Sequence, residues 1–394
     1  VIINKRKRGE NTMLKGIKVK IYPNDNQIQQ IEQNIGNARF VWNQMLNMWN
    51  TRYQNNPNLS TLKKYDLNIL LPTFKKEFPF LKQSDASSLQ FVCETLHGSF
   101  VEFFNKTRKH PRFKSKKKAT PSFTMKFSHN NIILQKNAIK LPKLGWVKGR
   151  WSSNIPFEKI KRVTIKRTPS GYYRASVLVE SENQVLDKID KKVGLDMGQI
   201  DLMIGSDGTR VKTRTYKKYE HKLKQWQKKM SRRQQLAKGR GVPLNEAKNY
   251  QKAKRMVAKY HEKIRHSRTD YLQKATTTIV ETYDFIAVED LKVKNMLANP
   301  HNKNRLKANH RKIANQSWYQ LRTMFEYKCE WYDKTFVKVD PRYTSQDCSG
   351  CQERTGPKGD ASIRQWTCAG CGASHDRDIN AAQNILNKGL QLVS

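Results

Sequence analysis

The feature that most restricts the fold of this 394-residue chain is a set of four cysteines near its C-terminus. They form two Cys-x-x-Cys pairs separated by sixteen residues, Cys348 with Cys351 and Cys368 with Cys371. Two such knuckles can place four thiolates around one ion, and this spacing is typical of a four-cysteine zinc ribbon. A redox function would need one activated pair beside a thioredoxin-like unit, so two pairs argue against it. The sequence predicts one structural Zn²⁺, since four sulfur ligands leave no open position for chemistry.

The charge of the chain favours a polyanionic partner. It carries 76 Lys and Arg against 33 Asp and Glu, a net charge of +43. This excess is larger than solubility requires and creates a strong positive field. No segment approaches the roughly 20 apolar residues that cross a bilayer, so the sequence predicts no membrane partner. Six cysteines are too few for a disulfide framework, and we expect a reducing, cytoplasmic location.

A basic segment between Phe103 and Phe157 is the strongest candidate for nucleic-acid contacts. It contains fourteen Lys or Arg and no Asp or Glu, with aromatic residues interleaved. Cations neutralise phosphates with release of counterions, and flat rings can stack on unpaired bases. A solvated basic surface over ordinary core aromatics would give a similar pattern. We favour binding, because a surface made basic for solubility would not exclude every acid. The predicted contact residues are Arg112, Lys114, Lys116, Lys117, Lys118 and Lys126.

Periodicity divides the chain into a β-rich part with a helical insertion and a following α/β part. Residues 15–22 alternate apolar and basic positions, as a strand with one buried face does, whereas 24–110 contain two helical stripes. After residue 190, short apolar strands alternate with helices, and a long basic helical hairpin breaks near Gly239. The first twelve residues lack the apolar core of a secretion signal. We expect them to be a disordered extension.

Three acids occupy positions where a buried strand ends or a helix begins. Asp196 follows 193–195, Glu289 follows 285–288, and Asp378 opens the last helix. Phosphodiester hydrolysis can use two ions roughly 4 Å apart, held by clustered carboxylates, and oxygen ligands suit Mg²⁺. Taken singly, each acid could instead cap a turn, pair with a lysine or offset a helix dipole. Together, in a strongly basic α/β domain, they predict a nuclease with two catalytic Mg²⁺.

Seven short motifs resemble those of a known family. The longest is CGASHDRDINAAQNI at 371–385, and the others are VDPRYTSQ at 339–346, GLDMG at 194–198, SDG at 206–208, VEDLKVKNM at 288–296, FKSKK at 113–117 and MLKGIKV at 13–19. Together they resemble TnpB, the transposon-encoded relative of type V CRISPR effectors, over nearly all of the chain after residue 12. One departure is Gln352, which stands where glycine is expected.

The resemblance implies an α+β multidomain fold. The implied parts are a wedge β-barrel at 13–24 and 110–190, a helical recognition domain at 25–109, an RNase H-like α/β RuvC domain at 191–344 and 373–394, and the zinc ribbon at 345–372 that interrupts it. The resemblance also makes Asp196, Glu289 and Asp378 the RuvC-type catalytic triad. Asp376 is the rival for the third place.

The activity that the resemblance implies is RNA-guided cleavage of DNA. A guide RNA from the transposon end would pair with target double-stranded DNA beside a short adjacent motif, and that pairing would supply sequence specificity. A transposase encoded nearby is a further implied partner, and the implied location is the prokaryotic cytoplasm, associated with the nucleoid. The alternative is a nuclease-independent, guide-directed repressor, which should have lost part of the triad. A resolvase or a transposase proper is a third interpretation, for which the sequence lacks the paired-histidine and tyrosine motif.

Overall fold

The computed structural model describes residues 12–58, 61–151, 159–182, 184–298, 316–358 and 362–393. The chain divides into two compact units, the first ending at Glu182 and the second beginning at Asn183. Residues 1–11 of the predicted extension lie outside the described residues, and Thr12 already belongs to the first strand.

A seven-stranded antiparallel sheet is the base of the first unit. Its strands are β1 (Thr12–Tyr22), β2 (Ser122–Lys126), β3 (Ile133–Gln135), β4 (Ala138–Leu141), β5 (Gly145–Arg150), β6 (Ile160–Arg167) and β7 (Tyr173–Glu182). The spatial order is β2-β6-β7-β1-β5-β4-β3, which places β1 between β7 and β5. Val19 and Ile21 of β1 are buried, as the alternating pattern predicts. The described pairings end at β2 and β3, so the closed barrel stays a prediction.

A helical insertion fills the segment between β1 and β2, as the periodicity predicts. It contains α1 (Asp25–Asn55), α2 (Lys64–Glu77), a 3₁₀ helix (Pro79–Gln83) and α3 (Ala86–Phe104). A capping box starts α1: Asn24 Oδ1 accepts from the backbone N–H of Gln27 at 2.9 Å, and the Gln27 side chain accepts from that of Asn24 at 3.1 Å. The Trp49 ring of α1 stacks on Phe100 of α3 with 3.9 Å between ring centroids, which joins the two helices in one core.

A mixed five-stranded sheet organises the second unit. Its strands are β8 (Lys192–Asp196), β9 (Asp201–Gly205), β10 (Arg210–Lys212), β11 (Phe285–Glu289) and β12 (Thr335–Val339), in the order β10-β9-β8-β11-β12. β9 pairs antiparallel with both β10 and β8, whereas β11 pairs parallel with both β8 and β12. Every residue of β11 is buried, as expected of a parallel strand covered on both faces.

The helices of the second unit include the predicted basic hairpin. It consists of α4 (Lys217–Gly239) and α5 (Lys248–Thr282), and the other helices are α6 (Val293–Ala298), α7 (Trp318–Tyr332) and α8 (Arg377–Gln391). In the cysteine module, β13 (Gln365–Thr367) pairs antiparallel with β14 (Ser374–Asp376). Among the described residues, no helix combines the length and the apolar character needed to cross a bilayer.

Two glycines let α8 lie directly against the sheet. A Cβ added at Gly194 would be 2.1 Å from the carbonyl oxygen of Ala382 and 2.5 Å from the backbone nitrogen of Leu386. A Cβ added at Gly389 would be 2.6 Å from the Cβ of Ala287. Because these side chains are absent, helix and strand backbones approach closely, and this contact sets where the first turn of α8 lies relative to β8.

We expect Gly194→Ala to destabilise the second unit. The new methyl group would overlap backbone atoms of α8, and overpacking of this kind costs about 1–3 kcal/mol or more in the free energy of unfolding. Thermal unfolding followed by circular dichroism measures the effect. The matched control is Gly239→Ala at the end of α4, where an added Cβ meets nothing within 4 Å. Equal melting temperatures for the two variants would contradict the close packing of α8.

Candidate active site and metal centre

The three predicted acids stand at one edge of the five-stranded sheet. Strands β8 and β11 are adjacent and parallel, so Asp196 and Glu289, the last residue of each, lie at the same edge. Asp378 lies in the first turn of α8, which packs on both strands. The topology therefore brings together three acids that are remote in sequence.

The electrostatics of this edge show that two of the acids act on the third. Burial is the main cause that raises the pKa of Asp196 to about 8, and the charges of Glu289 and Asp378 add to it, while Arg377 opposes it. Burial also raises the pKa of Glu289, against the hydrogen bond from Thr344 and the charge of Lys388. Buried carboxylates that repel one another are a favourable place for a divalent cation, because the cation removes the repulsion.

Two of the acids also have hydrogen-bond partners. Thr344 Oγ1 donates to Glu289 Oε1 at 2.7 Å, and Arg364 Nη1 donates to Asp378 Oδ2 at 2.7 Å. Among the described side chains, four cysteines form the group whose ligand atoms converge as one ion requires, and the three acids do not. A pair of ions roughly 4 Å apart needs a wider set of ligands than one ion does. The three acids supply oxygen donors of the kind that Mg²⁺ prefers, so their chemistry is compatible with a site for two ions.

Asp376, the rival for the third place, caps α8. Its Oδ1 accepts from the backbone N–H groups of Asp378 at 3.0 Å and Ile379 at 3.1 Å. Its Oδ2 pairs with Arg210 Nη2 at 2.8 Å. Both oxygens thus have structural partners, and it is Asp378 whose charge acts on Asp196. The geometry favours Asp378 over Asp376 as the third acid.

The predicted four-cysteine cluster is confirmed. Cys348 Sγ lies 3.7 Å from Cys371 Sγ, Cys351 Sγ lies 3.6 Å from Cys368 Sγ, and all four sulfur atoms lie within 4.8 Å of one another. A tetrahedron with Zn–S bonds of about 2.3 Å has edges of about 3.8 Å. The donor atoms and their spacing therefore fit one Zn²⁺.

Two side chains contact the sulfur atoms from outside the cluster. Thr355 Oγ1 donates to Cys368 Sγ at 3.1 Å. His375 Nε2 lies 3.0 Å from Cys348 Sγ, and its ring packs 4.8 Å from that of Trp366, between ring centroids. His375 thus lies at the rim of the cluster and contacts one of its thiols.

The six basic residues predicted to contact nucleic acid differ in their surroundings. Arg112, Lys116, Lys117 and Lys118 are exposed. Lys114 is half-buried, with Nζ 3.3 Å from the centroid of the Trp42 ring, and burial lowers its pKa to about 8. Lys126 pairs with Glu94.

The backbone of this basic segment is held by α1. Trp42 Nε1 donates to the carbonyl oxygen of Arg112 at 3.0 Å, and the Asn43 side chain bonds both the N–H and the carbonyl of Lys114.

The interleaved aromatic residues of this segment include one that could stack on bases and one that is an ordinary core residue. Phe113 is 57% exposed, whereas Phe123 is 4% exposed and belongs to the core.

Four residues near the acids were not predicted from the sequence: Thr344, Arg364, Asn380 and Asn384. Arg364 carries no sequence signal that separates it from the many other basic residues. The two asparagines do carry one, because they lie four residues apart on the buried face of α8, where polar side chains are uncommon.

The fold and the site define a strongly basic α+β protein with a partly buried acid cluster and a four-cysteine centre, and comparison with known proteins gives the family. Three family models match: a helix-turn-helix domain (HTH_OrfB_IS605) at 13–57, OrfB_IS605 ("Probable transposase") at 176–299 and the Cas12f1-like TNB domain at 318–385.

Two curated relatives, both named as RNA-guided DNA endonucleases, match nearly the whole chain. The protein from Streptomyces pristinaespiralis is 31% identical over 95% of this chain and 89% of its own length. InsQ from Escherichia coli is 30% identical over 95% of this chain and 92% of its own length. The chain belongs to the TnpB family, as its motifs predict.

A solved structure shares the fold. The protein in the cryo-EM structure of the Cas12f1-sgRNA-target DNA complex is 14% identical, with a TM-score of 0.56 over 96% of this chain and 99% of that one. This likeness shows the α+β fold that the sequence predicts.

We expect Asp196 to make the Mg²⁺-free protein less stable as the pH rises. The pKa of Asp196 is raised from about 3.9 in the unfolded chain to about 8 in the folded one. Between these values the folded state binds the extra proton, so stability falls with increasing pH and levels off above pH 8. Asp196→Asn removes this pH dependence. The free energy of unfolding of the variant, relative to that of the wild type, should therefore increase from pH 4 to pH 8. Urea unfolding of zinc-loaded protein at several pH values measures it, and a constant difference would contradict the raised pKa.

Proposed function

We propose that this chain is an RNA-guided endonuclease that hydrolyses phosphodiester bonds in target DNA with two Mg²⁺ ions held by Asp196, Glu289 and Asp378. The observation that carries the proposal is the meeting of these acids at one sheet edge, with electrostatic effects of two of them on the third. The whole-length similarity to proteins named as RNA-guided DNA endonucleases supports the same activity.

The surroundings of the acids suit a nucleic-acid strand. A cavity of about 820 Å³ borders Asp378, and its lining includes Arg214, Lys217, Arg364 and Arg377. These cations line the same cavity as Asp378 and could bind a phosphate backbone there. The ions, when bound, would supply the hydroxide nucleophile and stabilise the leaving oxygen.

The architecture supports the finer domain assignment. Three antiparallel strands followed by two parallel ones, with Asp196 on the central strand, are the arrangement expected of an RNase H-like RuvC domain. The seven-stranded sheet with helices inserted after β1 supports a wedge domain that carries a recognition domain. The cysteine module would hold one structural Zn²⁺, because four sulfur ligands fill its coordination.

The charge of the chain supports a guide RNA and target DNA as partners. Residues 217–268, which include the α4–α5 hairpin up to Arg268, contain 18 Lys or Arg and three acids. Such a surface binds backbones without reading bases, which suits a protein whose target is chosen by guide pairing. The proposal also includes a guide RNA from the transposon end, a short target-adjacent motif and a transposase encoded nearby as a partner. The proposed location is the prokaryotic cytoplasm near the nucleoid.

The repressor alternative would use the same nucleic-acid surfaces without cutting. It gives no reason for a partly buried cluster of three acids, since binding to nucleic acid is weakened by negative charge. Asp196, Glu289 and Asp378 are all present, and the charges of Glu289 and Asp378 act on Asp196. The nuclease is therefore favoured.

We expect Asp378→Asn to abolish cleavage while Asp376→Asn preserves it. Removing one member of a catalytic unit should lower the rate more than about a thousandfold, whereas asparagine at 376 can still cap α8. The protein is purified with its bound RNA, that RNA is sequenced, and cleavage of a matching DNA is timed with and without Mg²⁺.

The melting temperatures of both variants serve as the control. Asp378→Asn removes a charge that repels Asp196 but also weakens the ion pair with Arg364, so we expect little net change in its melting temperature. Full activity of Asp378→Asn, together with loss of activity in Asp376→Asn, would transfer the third place to Asp376. Cleavage by the wild type without any divalent cation would refute the metal mechanism.

We expect one zinc ion per chain, held by the four cysteines. Cys351→Ser removes a ligand and should lower the zinc content measured by plasma mass spectrometry and the stability of the second unit. The matched control is Cys93→Ala, because Cys93 is buried in the core of the first unit and is not one of the four converging cysteines. Undiminished zinc in Cys351→Ser would show that the ion binds elsewhere.

A further inference from the structure

A buried chain of hydrogen bonds connects Glu289 to α8 and to the first cysteine knuckle. The loop at 340–347 leads from β12 to Cys348 and carries Thr344, which is 4% exposed. Thr344 Oγ1 donates to Glu289 Oε1 at 2.7 Å. The contact binds one carboxylate oxygen and leaves the second for a metal ion.

Asn384 of α8 holds the loop that carries Thr344. Its Nδ2 donates to the carbonyl oxygen of Thr344 at 2.8 Å and to that of Asp347 at 2.7 Å. Both hydrogens of this amide are therefore used on the loop backbone. A residue that only filled the core could be apolar and would need no such bonds. A buried amide without hydrogen bonds would lower the stability of the fold.

Asn380, one turn earlier on α8, holds the same loop from its other end. Its Nδ2 donates to the carbonyl oxygen of Asp347 at 2.8 Å, and its Oδ1 accepts from the backbone N–H of Ser349 at 2.8 Å. These two contacts flank Cys348. Asn380 and Asn384 are 1% and 2% exposed, so water does not compete for their bonds.

The helix that carries Asp378 thus also determines where Thr344 lies, and Thr344 contacts Glu289. Two catalytic acids on separate elements are connected through one loop. The cysteine knuckle is the continuation of that loop, so its backbone supports the same arrangement. A partner that orients a metal ligand in this way typically changes metal affinity by about 10- to 100-fold when it is removed.

We propose that Thr344, held by Asn384, is a positioning residue whose hydroxyl orients Glu289 and so sets the affinity of the acid cluster for divalent cations. The inference rests on the proposed function. Thr344 has no contact with nucleic acid in this scheme. It acts through Glu289.

The test compares Thr344→Val, which keeps the shape and removes the hydroxyl, with Thr344→Ser, which keeps the hydroxyl. Mn²⁺ is titrated into RNA-bound protein, and free Mn²⁺ is followed by electron paramagnetic resonance. RNA-bound Asp378→Asn protein gives the background from ions bound outside the acid cluster. The Mg²⁺ concentration for half-maximal cleavage is measured in parallel.

We expect Thr344→Val to raise both metal midpoints by about 10- to 100-fold and Thr344→Ser to restore them. The matched control is Thr323→Val, because Thr323 is on α7 and, among the described residues, its hydroxyl bonds the carbonyl of Tyr319 at 2.9 Å and none of the three acids. This control should leave both midpoints unchanged. Zinc content should stay at one ion per chain in Thr344→Val, which separates the effect from loss of the knuckle.

A second variant tests the link to α8. Asn384→Leu removes both bonds to the loop and should raise the metal midpoints as Thr344→Val does, whereas Asn387→Leu, exposed on the same helix, should not. This variant also decides the matter if Thr344→Val fails to fold. If Thr344→Val or Asn384→Leu had the same metal midpoints as the wild-type protein, the positioning proposal would be overturned. Cleavage of DNA by the wild-type protein in the same experiment would still support the proposed function. If the wild type neither bound Mn²⁺ above background nor cut DNA, the proposed function itself would fail.

Discussion

The contact between α8 and strand β8 is the interaction on which the rest of the second unit depends. Gly194 has no side chain, so the backbone of α8 at Ala382 and Leu386 lies directly on the strand. Asp196 is two residues further along that strand, and Asp378 is in the first turn of that helix. A helix displaced by one methyl group would carry Asp378 away from Asp196.

This contact acts against electrostatics. It brings a third negative charge to an edge where burial and repulsion already raise the pKa of Asp196 to about 8. The protein offsets part of the repulsion with nearby cations and hydrogen bonds: Arg364 donates to Asp378, and Thr344 donates to Glu289. The remaining repulsion is what a divalent cation would relieve. The instability of the metal-free edge and the metal affinity proposed for it would therefore have one physical origin.

Much of the fold was predictable because its signals are local. Alternating apolar residues predicted β1, helical stripes predicted α1 and α3, and the break near Gly239 predicted the α4–α5 hairpin. The four-cysteine cluster was predictable for the same reason, since each Cys-x-x-Cys pair forms within one turn of chain. The surroundings of Lys114 and Lys126 were not, because their partners Trp42 and Glu94 lie 72 and 32 residues away in the chain.

The sequence by itself determined the element types and the cysteine knuckles, because each depends on residues close together in the chain, and it determined the positive charge through composition alone. Only the tertiary structure decided which acids meet and what holds them. Asp376 and Asp378 are equivalent in sequence, and the start of α8 makes one a helix cap and turns the charge of the other toward Asp196. Thr344 and Asn384 gain their roles in the same way, since a hydrogen bond between residues 40 or 55 apart forms only when strand order and helix packing bring them together.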